Sequence, residues 1–291
     1  MDCHKAFFAI QCIWIILFLG GNAMHIIRQE QNGVPFYACT GFDGVAHGFS
    51  TRIGGVSPAP WDSLNLGANR GDASDHVTEN FRRFCGAVGT DFHTIIKNHQ
   101  VHSDRIRAVT HDDILPSAHL SGNFDGDGLI TDIPGLCLTI FSADCIPILL
   151  YDPVKRVIAA THAGWRGTAL GIAAKAVQRM QSDYACRPQD ILAAIGPGIS
   201  PCCFETHADV PDGLLNGMGE DAAPFIRPLS REGKFSVDLK GANGRWLERV
   251  GLLPQHIAIS DACTACDRES FWSHRILGQQ RGSMAAMIQL L

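Results

Sequence analysis

The sequence predicts an α/β fold, a single-domain mixed-sheet sandwich with outer helices, and three observations lead there. Strand-like runs outnumber helical ones, and many connections between them are glycine-rich. The chain also carries no internal repeat, low-complexity tract or charge block at which it could be divided. Its 291 residues, 46% hydrophobic and 18% charged, supply enough apolar material for one large core.

Taken in order, strands are expected at Val45–Ser50, 94–101, Gly128–Thr131, 136–141, 146–151, 157–161, 191–195, 257–260 and Met284–Leu290, each a short apolar run bounded by turn-forming residues. Helices are expected at 75–88 and 168–182, the clearest amphipathic stretches, and at 240–250. Ahead of these, Lys5 precedes an apolar run from Ala6 to Gly20, with small residues at Gly21 and Ala23, so residues 1–23 resemble a signal peptide. The alternative is that Met24 is the natural start and residues 1–23 are an over-extension of the reading frame. Eleven cysteines, two of them adjacent at Cys202 and Cys203, suit neither orderly pairing nor an oxidising compartment. That favours reduced thiols, the Met24 start and a cytoplasmic location, with export as the alternative if the signal is real. The fold is therefore assigned to residues 24–291.

A formal net charge of −5 with scattered Lys and Arg gives no footprint for nucleic acid or an acidic membrane surface, which points to a small-molecule ligand. The chemistry concentrates around Cys145, at the end of GLCLTIFSADC. Asp144 and Ser142 place polar groups at the same strand end, and Pro147 follows, so the thiol is expected at a rim rather than in the core. His162 ends the next apolar strand in THAGWRGT, where Ala163 and Gly164 let backbone approach closely and Trp165 supplies a wall. In NHQVHSDRI, alternation places Gln100 and His102 on one face and His99 on the other, which selects His102 as a third ligand. Thiol and imidazole are donors zinc prefers, and ligands so far apart in sequence suit a catalytic site with an open position better than a finger.

Other patterns carry less. Cys263-Thr264-Ala265-Cys266 is a CxxC without a second CxxC, so a zinc ribbon would need Cys202 or Cys203 in an unusual geometry and no second metal site is expected. The run Asp125-Gly126-Asp127-Gly128 reads as a tight turn before a strand, with Asp127 aimed into the site, rather than as a calcium loop. Arg52, beside Gly54 and Gly55, is the candidate anion clamp, and Arg166 is a second.

The segments HGFSTRIGGVS, LNLG, NHQVHSDRI, DGDGLIT, FSADCIPILLYDP, THAGWRGT, IGPGISPCCFE, FSVDL, CTAC and FWSHR, from about His47 to the carboxyl end, resemble the purine nucleoside phosphorylase family once labelled multicopper polyphenol oxidase or laccase-like. The resemblance implies an α/β sandwich with zinc held by His102, Cys145 and His162. It implies activity on adenosine, inosine, guanosine and methylthioadenosine with phosphate, and deamination of adenosine. Cys145, His162 and Arg52 are then the candidate catalytic groups. Arg52, Gln100, Asp127, Arg166 and Trp165 are the candidate substrate contacts, with Phe49, Phe271 and Ser273-His274-Arg275 as further suppliers. One departure is that the family's Gly-Arg pair near the end is Gly282-Ser283 here, with Arg281 displaced by one. Purine nucleosides and phosphate are thus the expected partners of a monomer or small homo-oligomer. The competing readings are a copper-dependent polyphenol oxidase, a non-catalytic zinc-binding or interaction protein, and a Cys-His hydrolase. A copper oxidase needs closely spaced His-X-His pairs, and the chain has none.

Overall fold

The structure is a computed structural model that describes residues 23–115, 122 and 124–291. Residues 1–22, which carry the signal-like run, lie outside the described residues. In chain order the elements are β1 (Ile26–Gln31), β2 (Val34–Cys39), β3 (Val45–Ser50), α1 (Ser74–Val88), β4 (Ile95–Ile96), β5 (Ile106–Ala108), β6 (Gly128–Thr131), β7 (Cys137–Ser142), β8 (Ile146–Asp152), β9 (Val157–Ala163), α2 (Trp165–Ala169), α3 (Ile172–Tyr184), β10 (Leu192–Ile195), β11 (Glu205–Thr206), α4 (Asp209–Met218), β12 (Ile226–Pro228), β13 (Phe235–Val237), α5 (Leu239–Arg249), β14 (Ile257–Ile259), α6 (His274–Leu277) and β15 (Met284–Leu290).

Two six-stranded sheets, ordered β1-β2-β3-β15-β7-β4 and β14-β10-β8-β9-β6-β5, face each other, and β11-β13-β12 form a small third sheet. Alternation along each strand divides the side chains between layers. Leu149 and Tyr151 of β8, Ile158 and Ala160 of β9, and Ala286, Ile288 and Leu290 of β15 meet Phe49, Leu138 and Ile140 in the core between the sheets. Their neighbours Ile148, Leu150 and Ala159 turn outward against Ile172, Ala173, Ala176, Val177 and Met180 of α3. Across the molecule, Val77, Phe81 and Phe84 of α1 cover Phe36, Ala285 and Met287. Strands buried on both faces read as continuous apolar runs, which is why β8 and β9 stand out in the sequence. The mixed-sheet sandwich with outer helices is the observed fold.

Local differences have identifiable causes. The expected strand at 94–101 shrinks to β4, because the chain beyond it is drawn toward the 125–128 turn. There the Asn98 side chain donates to the Gly128 carbonyl at 3.0 Å and His99 N–H to the Phe124 carbonyl at 2.8 Å. The helix expected at 168–182 is two helices, α2 and α3, parted at Gly171, whose φ of +73° is left-handed and whose Cα faces the Trp246 ring. The β1–β2 hairpin was not expected. It turns at Asn32 and Gly33, both at positive φ, which is the backbone that a tight hairpin turn requires.

Candidate metal centre and its cavity

The site forms where β7 and β9 end and β8 begins, beside the loop that follows β4. Cys145 sits in the short β7–β8 connection, directly after Asp144, whose φ of +87° is left-handed. Asp144 is held there by its own side chain. Its carboxylate accepts from Thr264 Oγ1 at 2.6 Å, Ser273 Oγ at 3.0 Å and the Arg275 N–H at 2.6 Å. His162 lies near the end of β9, almost fully buried. His102 belongs to a turn at φ +61°, so it is not on an extended strand and the alternation that selected it does not apply.

That turn is built on Asp127. Its carboxylate accepts from the backbone N–H groups of Val101, His102 and Ser103, at 3.3, 3.0 and 2.6 Å, and from Ser103 Oγ at 2.7 Å. The same carboxylate takes a 2.8 Å hydrogen bond from Nδ1–H of His162, while the Asp127 carbonyl accepts the His162 backbone N–H at 2.7 Å. One buried acid thus orients two imidazoles and leaves Nε2 of His162 free for another partner. Burial pushes the Asp127 carboxyl up, but the hydrogen bonds from His162 and Ser103 outweigh it and hold it down at about 2.

Ligand atoms of His102, Cys145 and His162 all lie within 4.8 Å of one another. Nε2 of His102 is 3.7 Å from Cys145 Sγ. A tetrahedral zinc with ordinary Zn–S and Zn–N bonds sets those atoms about 3.6 Å apart, so the donors fit a metal of that size. Burial alone would make the Cys145 thiol a weaker acid, yet the neighbouring His162 and His102 hold it well below the usual thiol value. The reciprocal interaction with Cys145 and Asp127 raises His162 against its own burial. These two directions describe one thiolate–imidazolium pair. Such a thiolate is the form that ligates a metal.

Gly164 completes the floor. A Cβ there would stand 2.7 Å from His102 Cδ2 and 3.2 Å from Cys145 Sγ. Gly164→Ala is therefore expected to displace His102 and weaken metal retention in a chelator-competition assay, by about tenfold or more, while leaving the rest of the fold intact.

The cluster opens into a cavity of about 810 Å³. Arg70, Lys97, Arg275 and Arg281 bring positive charge to its walls, and Phe141 and Phe204 bring apolar surface. Arg281 is only 8% exposed, donates to the Gly282 carbonyl at 2.8 Å, and is lowered to about 10 by burial and then by the charge of Arg70. Burial likewise lowers Lys97, to about 8. Arg281, buried and depressed by the neighbouring charge of Arg70, is a cation that an anionic ligand in the cavity would offset.

The remaining sequence candidates fall in different places. Gln100 lines the cavity, but its amide is pinned to the Phe141 backbone at 2.8 and 2.6 Å and extends the edge of β7. Asp127 lies behind the histidines rather than on the cavity wall. Arg52 is not brought to the cavity. Its guanidinium donates to the Asp62 carbonyl at 3.0 and 2.7 Å and to the Arg268 carbonyl at 3.1 Å, and lies 3.8 Å over the Trp272 ring. Trp165 packs toward Gly213 of α4 with Arg166 stacked 4.3 Å from its ring centre, also away from the cavity. Phe49 and Phe271 are core residues, whereas His274 and Arg275 do line the cavity. Sequence reading missed Arg70, Lys97, Phe141 and Phe204, which come from separate segments with no shared motif.

The fold and the site together define an α/β sandwich protein with a His-Cys-His cluster that could hold a metal ion beneath a cationic cavity. The chain belongs to the family described as multi-copper polyphenol oxidoreductase laccase, whose model matches residues 46–291. It is 35% identical over 268 residues to purine nucleoside phosphorylase YlmD of Geobacillus stearothermophilus, covering 91% of this chain and 96% of that protein. It is 38% identical to a purine nucleoside phosphorylase of Deinococcus radiodurans, over 84% of this chain and 89% of that one. Among solved structures, hypothetical protein YfiH of Bacillus licheniformis superposes with a TM-score of 0.86 at 34% identity, covering 91% of this chain and 99% of that one. Names of the relatives support an enzyme, and the ligand cluster supports a metal site. Among the described residues no helix is long and apolar enough to cross a membrane.

Proposed function

We propose that the protein is a zinc-dependent purine nucleoside phosphorylase that cleaves adenosine, inosine, guanosine and methylthioadenosine with phosphate to the free base and ribose 1-phosphate (5-methylthioribose 1-phosphate from methylthioadenosine), and that it also deaminates adenosine. The observation that carries this reading is the three-ligand cluster at the floor of a cavity walled by Arg70, Lys97, Arg275 and Arg281. The relatives' names point the same way.

His102, Cys145 and His162 would hold the ion, which when bound would supply Lewis acidity and activate water near neutral pH for deamination. Asp127 keeps a proton on Nδ1 of His162 and so keeps Nε2 directed at the metal position. Arg281 and Arg70, with Lys97, take the phosphate, because cationic donors are needed to hold a dianion against an electron-poor anomeric carbon. A phosphate oxygen then bonds to C1′ as the glycosidic C–N bond breaks, and its electron pair leaves with the purine. Phe141 and Phe204 offer the base an apolar surface. The cavity is within the size range of small-molecule sites.

The test combines metal analysis of the purified protein with incubation of adenosine with and without phosphate, following adenine, ribose 1-phosphate and inosine. Phosphate-dependent release of adenine by a zinc protein is the expected result. Stoichiometric copper with oxidation of phenolic dyes, and no release of base, would sink the reading. Arg281→Met is expected to raise the KM for phosphate by about 10–100-fold, the loss of one charged hydrogen bond, with a smaller change in the KM for nucleoside. Equal changes in both constants would remove Arg281 from the phosphate site.

A further inference from the structure

We propose that the protein carries a second metal site, a tetrathiolate centre for zinc formed by Cys202, Cys203, Cys263 and Cys266. No second site was expected from the sequence, because the CxxC at Cys263–Cys266 has no CxxC partner. The fold supplies one in another form. A turn after Pro201 swings the two adjacent cysteines toward Cys266, and the sulfurs of Cys202 and Cys203 each lie 3.4 Å from its sulfur. All four sulfurs are within 4.8 Å of one another. A zinc ion with four ordinary Zn–S bonds sets its ligands about 3.8 Å apart, which falls within this spread. The same separations are far longer than a disulfide bond.

Two further observations suit a charged metal–sulfur group. The Ser200 backbone N–H donates to Cys263 Sγ at 3.4 Å, as expected for a sulfur that carries charge. Lys240, only 5% exposed, donates to the carbonyls of Ser260 and Ala262 just ahead of Cys263, at 2.6 and 3.1 Å. Its ammonium offsets part of the net negative charge that a divalent ion with four thiolates carries. Soft, sulfur-only donors in a tetrahedral array select zinc over magnesium or calcium. On binding, four Zn–S bonds form and the thiol protons pass to solvent.

The consequence is structural. Ile199 and Phe204 flank the Cys202–Cys203 turn and line the cavity, while Thr264, between the other two cysteines, holds Asp144 beside Cys145. An ion there would fasten two loops that shape the cavity and position the first site's thiol.

The test is read in a Cys145→Ala background, so that its outcome is independent of whether the His-Cys-His cluster holds metal. Zinc bound after purification with a non-thiol reductant is compared with that in the same background plus Cys263→Ser and Cys266→Ser. Loss of about one zinc per chain is expected. Cobalt(II) added to the otherwise unaltered chain provides a second measurement if the variant fails to fold. Thiolate-to-cobalt absorption several-fold above that of a single thiolate ligand is expected. Equal zinc in the two variants, the absorption of one thiolate, or a disulfide between Cys266 and Cys202 or Cys203 that persists through purification with the reductant would overturn the proposal.

Discussion

Cys145→Ala is expected to abolish the proposed metal binding by the His-Cys-His cluster and to reduce the proposed phosphorolysis to background. The thiol is the charged member of the set. His162 and His102 favour its thiolate form, and its removal leaves only the two histidines, one of them already committed to Asp127 through its other nitrogen. Two imidazoles are one ligand short of the three protein ligands that catalytic zinc sites use. Metal content and turnover should therefore fall together, by three orders of magnitude or roughly that in rate if charge stabilisation at the metal carries the chemistry. Cys145→Ser would separate the roles, since a hydroxyl keeps the shape and loses the charge. If Cys145→Ala retains both metal and activity, the proposed site is wrong.

Asp127→Asn is expected to have the second-largest effect, and on two quantities at once. An amide cannot accept from Val101, His102, Ser103 and His162 as a carboxylate does, so the turn carrying His102 and the tautomer of His162 are both disturbed. Loss of an outer partner of this kind costs about 10–100-fold in metal affinity. Removing one member of a buried charged pair costs about 3–5 kcal/mol of stability. The pH dependence follows from the sign of the shift. Asp127 is lower folded than unfolded, so its contribution is complete above the unfolded carboxyl value and is lost as pH falls toward about 2. Unfolding between pH 5 and 2 should accordingly be less steep in Asp127→Asn than in the unaltered chain. Equal acid sensitivity in the two would show that Asp127 is not the acid-labile anchor.

Much of the fold was legible where strands are buried on both faces, because apolar runs such as 146–151 leave little choice of element. The β1 strand was not, since most of it is exposed and only the Asn32-Gly33 turn announces the hairpin. At the site, Cys145 and His162 were legible from strand ends and small neighbours. His102 was reached by an alternation that the structure does not contain, as Asp127 winds that segment into a turn. The cation cavity and the four-cysteine cluster were hidden for a simpler reason. Arg70 and Arg281, or Cys202 and Cys266, are adjacent only after folding, and a linear sequence has no term for such proximity. Arg52 beside its glycines looked like an anion loop, but the local carbonyls of Asp62 and Arg268 claim it.

The position of β15 has a consequence for biogenesis. Residues Met284–Leu290 are inserted between β3 and β7, antiparallel to both, in the middle of the first sheet. During synthesis β3 and β7 emerge long before the strand that joins them, each presenting an unpaired edge and apolar residues meant for the core. A chain stalled ahead of Met284 would hold most of its helices and the whole β14-β10-β8-β9-β6-β5 sheet, yet lack the centre of the other. Such a nascent chain keeps apolar surface and strand edges uncovered, and a release of translation arrest should be followed by a single late gain in protease resistance.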